Sequence, residues 1–265
     1  NTGLNTPRQR AAWLLLALAA LTVLLTALGA SVGSTGFDSV LRLADDPMAA
    51  RIVWDIRLPR SLGAWLAGAL LGLSGAVAQG LFRNPLAEPF LLGSASGASL
   101  GVAAALALFG AAPATAWLAK LGLTGAAFVG AVVAVLLTLQ LARGVQHTLR
   151  LLLAGVIVGV VLGAIKDLIT LASPDIIAAM QGFNLGSAGF IGWASCVLML
   201  LAWCVCMAGA WVFSRALDGL SLGESTAASL GLPLVPMRVA LVAVLALSTG
   251  TAVAQTGLIA FVGLA

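Results

Sequence analysis

Apolar positions in this chain gather into long runs rather than into the two-residue alternation of a half-buried strand or the one-sided stripe of a soluble helix. Crossing a hydrocarbon layer of about 30 Å takes about 20 apolar residues in a helix, and runs of that size recur. They predict spans near residues 11–32, 61–82, 90–112, 117–142, 150–172, 191–213 and 237–254. The last run continues through Gly257 to Ala265, which predicts the opening of an eighth span. With a start at Asn1 rather than Met, the chain is expected to be incomplete at both ends. The first run is about twenty residues, longer than the 7–15 of a secretory signal core, so it reads as a span.

Composition removes the soluble alternatives. Of 265 residues, 61% are hydrophobic and 8% charged, and 13 Lys+Arg with 9 Asp+Glu cannot cover a globule of this size. The net charge of +4 is scattered, without a basic run interleaved with aromatics, which excludes nucleic acid as a partner. Cys196, Cys204 and Cys206 share one apolar stretch and read as small buried hydrophobes.

Placing the N-terminus in the cytoplasm puts Arg8, Arg10, Arg83, Arg143, Arg150, Arg215 and Arg238 inside, as the positive-inside rule prefers. Arg42, Arg51, Arg57 and Arg60 then lie in an external loop at residues 33–60, against that rule. Gly93, Gly97 and Gly101 recur every four residues, as do Gly155, Gly159 and Gly163, a spacing that lets helices pack closely. Gly97-Ala98-Ser99-Leu100-Gly101 has the letters of a nucleophile elbow but falls inside such a stripe, and the only histidine, His147, sits in a loop. No catalytic residues and no metal ligands are therefore assigned. Lys166 and Asp167 are nearly the only ionisable residues within a predicted span, and they lie toward its outer end, where a cavity-lining or structural role suits them better than a proton relay.

Two loops look built for contact. In residues 214–233, Ser221 and Glu224 form a capping box, and Gly231 with Pro233 supplies a stop, which predicts a short helix from Leu222 to Leu230 suited to receiving force from another subunit. Arg83-Asn84-Pro85-Leu86-Ala87-Glu88-Pro89 cannot continue a helix through two prolines four apart. Irregular backbone at membrane depth survives where protein or a water-filled cavity satisfies it, so this segment is a candidate constriction.

Arg57-Leu58-Pro59-Arg60, Gln79 to Pro89, Leu92 to Ala98, Arg150 to Gly155, Leu185-Gly186-Ser187, Leu220 to Glu224 and Gly257 to Leu264 together resemble the FecCD family, the permease subunits of bacterial type II ABC importers for ferric siderophores, haem and cobalamin. The sequence departs from the common family pattern at Phe90 and Ser94-Ala95. The resemblance implies an all-α polytopic bundle with seven to eight of the family's ten spans, forming one domain over residues 1–265. It implies a multi-pass protein of the bacterial inner membrane that pairs with a second copy of itself, two ATPase subunits and a periplasmic binding protein. ATP and Mg would reside on the ATPase, with no cofactor in this chain and no enzymatic role for it.

The resemblance also carries residue roles. Asn84, Pro85 and Leu86 match an inner gate, with His147 and Thr148 as its second element. Ser221, Leu222, Gly223, Glu224 and Leu230 match the helix that docks into the ATPase. Arg57 and Arg60 match arginines that pair with carboxylates of the binding protein, and the Gly155, Gly159 and Gly163 stripe would face the pathway or the second copy. The sequence, with no Tyr, one His and nothing that must ligate iron, does not choose among siderophore, haem and cobalamin; an apolar, lightly charged pathway suits a planar apolar ligand and leans toward haem. The competing class is a single-component transporter or channel driven by an ion gradient, which would need no coupling helix and no external arginines.

Overall fold

The computed structural model describes residues 7–31, 47–110, 117–142, 148–189, 191–221, 227, 229, 231, 233–260 and 262–264. Among these every regular element is helical. The order is α1 (Pro7–Ser31), α2 (Pro47–Arg51), a π-helical segment (Ile52–Arg57), α3 (Leu58–Phe82), a 3-10 turn (Pro89–Leu92), α4 (Ser94–Phe109) and α5 (Trp117–Leu141). There follow α6 (Thr148–Ala172), a 3-10 turn (Pro174–Ile176), α7 (Ile177–Leu185), α8 (Trp193–Val212), α9 (Ser214–Ser221), α10 (Leu234–Thr256) and a last 3-10 turn (Val262–Leu264).

Six helical stretches are long and apolar enough to cross a membrane, and α4, at 16 residues, is a shorter apolar one. The centre is α3 packed against α10, with Leu70, Leu71, Leu241 and Leu245 wholly buried. α4 and α5 lie back to back because glycine removes the side chains between them. A Cβ on Gly97 would stand 2.3 Å from the Gly130 carbonyl oxygen, and one on Gly101 would stand 2.1 Å from that of Ala126. α1 is peripheral: Leu14, Leu18, Leu21 and Leu25 face outward, as suits a helix surrounded by lipid.

Four departures from the sequence expectations have physical causes. The predicted third span does not begin at 90, because Pro89 starts a 3-10 turn and Gly93 turns left-handed, at φ 77°, before α4 can start. The run through Gly257 is not one continuous helix: α10 stops at Thr256, Gly257 takes φ 73°, and residues 262–264 fold back against α3, where a Cβ on Gly75 would stand 2.0 Å from the Gly263 carbonyl oxygen. The part of the external loop that is described is already helical from Pro47 and joins α3 through the π-helical segment. Residues Ser214–Ser221 form a helix, α9, ahead of the one expected from Leu222 to Leu230, of which only residues 227 and 229 are described, both helical. Leu222, Gly223, Glu224, Leu230 and His147 lie outside the described residues.

Candidate functional site

The break after α3 is a hydrogen-bonded turn. Arg83 ends the helix in a left-handed conformation at φ 50°, and the Asn84 N–H reaches back to the Gln79 carbonyl at 3.1 Å. The Asn84 side-chain oxygen accepts from the Leu86 N–H at 2.9 Å, and its main-chain carbonyl accepts from Ala87 at 3.0 Å, an Asx turn that leaves little freedom at Pro85. The chain then dives inward: Ala87, Pro89 and Leu92 are buried, and the Leu92 carbonyl accepts from Thr138 Oγ1 at 3.0 Å. Leu86 is left at the tip, 76% exposed. A rigid turn that presents one apolar side chain to the outside can close against a like surface. Thr148, the other described member of the sequence-derived gate, is the first residue of α6.

α6 meets this turn through glycine. A Cβ on Gly155 would lie 2.0 Å from the Leu91 carbonyl oxygen, so only glycine fits, whereas a Cβ on Gly159 would have ordinary contacts and one on Gly163 would meet nothing within 4 Å. The three do not share a face: in an α-helix each four-residue step drifts by about 40°, carrying the stripe from the buried side to the open side. Gly155 therefore packs against this chain's own turn, and only Gly163 remains turned outward.

At the opposite end, which carries Trp54, the two arginines divide. Arg57 is 9% exposed and its Nη1 donates to the Ser31 carbonyl at 3.3 Å, placing a cation on the C-terminus of α1, where the helix dipole favours it. Arg60, one turn on, is exposed. The π-helical register before them is explicit, since the Leu58 N–H bonds the Val53 carbonyl five residues back. In that register Pro59 should donate to Trp54 and has no N–H to do so. The Trp54 carbonyl instead accepts from Trp193 Nε1 at 3.1 Å, and the Pro59 carbonyl accepts from Cys196 Sγ at 3.2 Å, so α8 is tied to the point where the helix changes register.

The same end holds a second junction that sequence reading missed. The Ser187 N–H donates to the Thr256 carbonyl at 2.7 Å and the Leu258 N–H to Phe183 at 3.0 Å, lacing α7 to the end of α10. Beside it, α4, α5, α7 and α10 enclose a cleft of about 430 Å³ with Leu106, Thr124, Phe183 and Gln255 in its wall. The signal for α7 was present in Ser173-Pro174-Asp175, a helix start with proline in the first turn and an acid beside it. Lys166 Nζ and Asp167 Oδ1 form an ion pair at 2.7 Å on α6. Among the described residues no three His, Cys, Asp or Glu side chains converge on one point.

Helices of spanning length, interrupted by hydrogen-bonded breaks, define a polytopic membrane bundle. A solved structure described as an inward-facing conformation of a metal-chelate type ABC transporter superposes with a TM-score of 0.84 at 25% identity, over 96% of this chain and 79% of that one. The FecCD transport family matches residues 3–265, and the chain belongs to that family. It is 39% identical over 265 residues to the vitamin B12 import system permease protein BtuC of Shigella boydii serotype 18, covering 97% of this chain and 76% of the relative. It is 41% identical over 224 residues to BtuC of an Escherichia coli strain, covering 82% of this chain and 65% of that relative.

Proposed function

We propose that this chain is the membrane-spanning subunit of an ATP-driven importer and that its cargo is cobalamin or a close corrinoid. The observation that carries the cargo is the likeness to the two vitamin B12 import permeases. It displaces haem, which the apolar composition alone favoured. In this reading two copies pair about a twofold axis, each with an ATPase subunit on the cytoplasmic face, and a periplasmic binding protein delivers cargo to the Trp54 end. The N-terminus lies in the cytoplasm.

Residue roles follow the same reading. Asn84, Pro85 and Leu86 close the inner mouth, with His147 and Thr148 beside them. Residues 214–233, including Ser221, Leu222, Gly223, Glu224 and Leu230, receive the ATPase. Arg60 faces the binding protein, and Arg57 holds α1 in place beneath it, which supports assigning the docking contact to Arg60. The test is complementation: bacteria lacking their own cobalamin permease, but retaining its ATPase and binding protein, should regain growth on limiting cyanocobalamin when given this permease. Failure to grow with the protein present in the membrane overturns the cargo assignment.

A further inference from the structure

The cleft of about 430 Å³ between α4, α5, α7 and α10 has no part in the roles assigned above. It lies close to the Trp54 end of the bundle: Leu106 is within one turn of the end of α4 at Phe109, and Gln255 is the last residue but one of α10. Val102, Leu106 and Phe183 make an apolar wall. A Cβ on Gly182, which lines the α7 side, would meet nothing within 4 Å, so that side of the cleft is open for want of a side chain.

Four polar side chains complete the lining, and two of them already have partners. Thr256 Oγ1 donates to the Ala252 carbonyl at 2.9 Å, and Ser187 Oγ accepts from the Gly189 N–H at 3.0 Å. Thr124 and Gln255 make no hydrogen bond to any described residue. None of the lining residues is ionisable. Such a site suits the neutral part of an amphiphile. A carboxamide and a hydroxyl supply donors for a carbonyl, which only accepts, the apolar wall takes a hydrocarbon chain, and nothing there pairs with a phosphate or a carboxylate.

The surrounding bilayer supplies that molecule. Gly122 and Gly125, on either side of Thr124, are exposed and face open space, and Val129, Val133 and Leu136 continue the same three- and four-residue steps as an exposed aliphatic strip along α5. Thr124 therefore borders a strip fit for lipid chains. It does so near the helix ends, where hydrocarbon meets headgroup and lipid esters lie.

We propose that this cleft holds one acyl chain of a phospholipid from the leaflet at the Trp54 end, with an ester carbonyl on Gln255 and Thr124 and the charged headgroup outside. The volume is near the low end of the range for small-molecule pockets, about 300–1,000 Å³, and is too small for a corrinoid. The bound chain packs on Phe183 and braces α7 against α10, next to the Ser187 and Leu258 hydrogen bonds.

The test uses the full permease in nanodiscs whose phospholipid carries a photoreactive diazirine midway along one acyl chain. Crosslinks should concentrate on the peptides that contain Leu106, Thr124 and Phe183, and native mass spectrometry after detergent washing should find one phospholipid retained per chain. Thr124→Val combined with Gln255→Leu keeps the shape and removes both donors, so it should weaken retention about tenfold. Gly182→Leu, which fills the cleft from open space, should abolish both signals at normal membrane levels. Phosphatidylethanolamine and phosphatidylglycerol should be held equally well, and palmitate, whose carboxylate finds no cation, far more weakly. Crosslinks spread evenly over the exposed faces, or signals unchanged in both variants, overturn the proposal. Displacement by cyanocobalamin with its binding protein would assign the cleft to cargo, and a preference for phosphatidylglycerol would assign recognition to the headgroup; either result also overturns it. None of these readouts needs transport, so a failure of the cobalamin reading leaves them standing.

Discussion

The indole Nε1 of Trp193 donates to the main-chain carbonyl of Trp54 at 3.1 Å, filling a bond that Pro59 cannot make. The two rings lie 5.4 Å apart and tilted by 40°, so the hydrogen bond and an aromatic contact act together between α8 and the π-helical segment. Trp193→Phe should lower stability in detergent by about 0.5–1.5 kcal/mol. In a Pro59→Ala background the loss should shrink, since an alanine N–H can take the Trp54 carbonyl. A double-mutant cycle measures this, and strict additivity would show that the two sites are independent.

The glycines of α6 should separate sharply. Gly155→Ala drives a Cβ into the Leu91 carbonyl, and a main-chain oxygen cannot swing aside as a flexible side chain can. Thermal unfolding of the purified chain should show a loss of about 1–3 kcal/mol. Gly163→Ala, with open space around it, should stay within about 0.5 kcal/mol. Equal losses would place Gly163 in a contact as close as that of Gly155.

That separation was not legible in the sequence, where the three residues form one stripe, because spacing fixes a helical face only to within the drift of the helix and says nothing of what lies opposite. The turn at Asn84 was legible, since two prolines four apart leave no helical solution. The six helical stretches of spanning length were also legible, because burial in lipid demands uninterrupted apolar length. The π-helical entry to α3 was hidden: Arg51, Asp55 and Arg57 look like loop charges, and only the structure shows Arg57 spent on the end of α1. The stop at Thr256 was hidden too, since a single glycine in an apolar run is as common within a span as at its end.

Leu86 should mark the inner closure. A cysteine there, with the native cysteines removed, is expected to crosslink between two copies in the resting importer and to block uptake until reduced. Asn84→Ala removes the acceptor of the Leu86 N–H and should weaken the crosslink without unfolding the bundle. Failure to crosslink in every nucleotide state would show that the two turns do not meet.

The two arginines should part company. Arg60→Glu, on an exposed side chain, should slow association of the binding protein, most of all at low salt, and leave thermal stability unchanged. Arg57→Glu sets an anion against the Ser31 carbonyl and the negative end of the α1 dipole, so it should lower the melting temperature. An equal effect of both on association, with no effect of either on melting, would contradict the division of roles.

The most direct measurement of the whole account is uptake of radiolabelled cyanocobalamin by proteoliposomes containing this permease with its ATPase, with ATP enclosed and loaded binding protein outside. Uptake that requires ATP, survives collapse of the proton and sodium gradients, and stops when the binding protein is omitted is the predicted result. Uptake that follows an imposed ion gradient without ATP would contradict it.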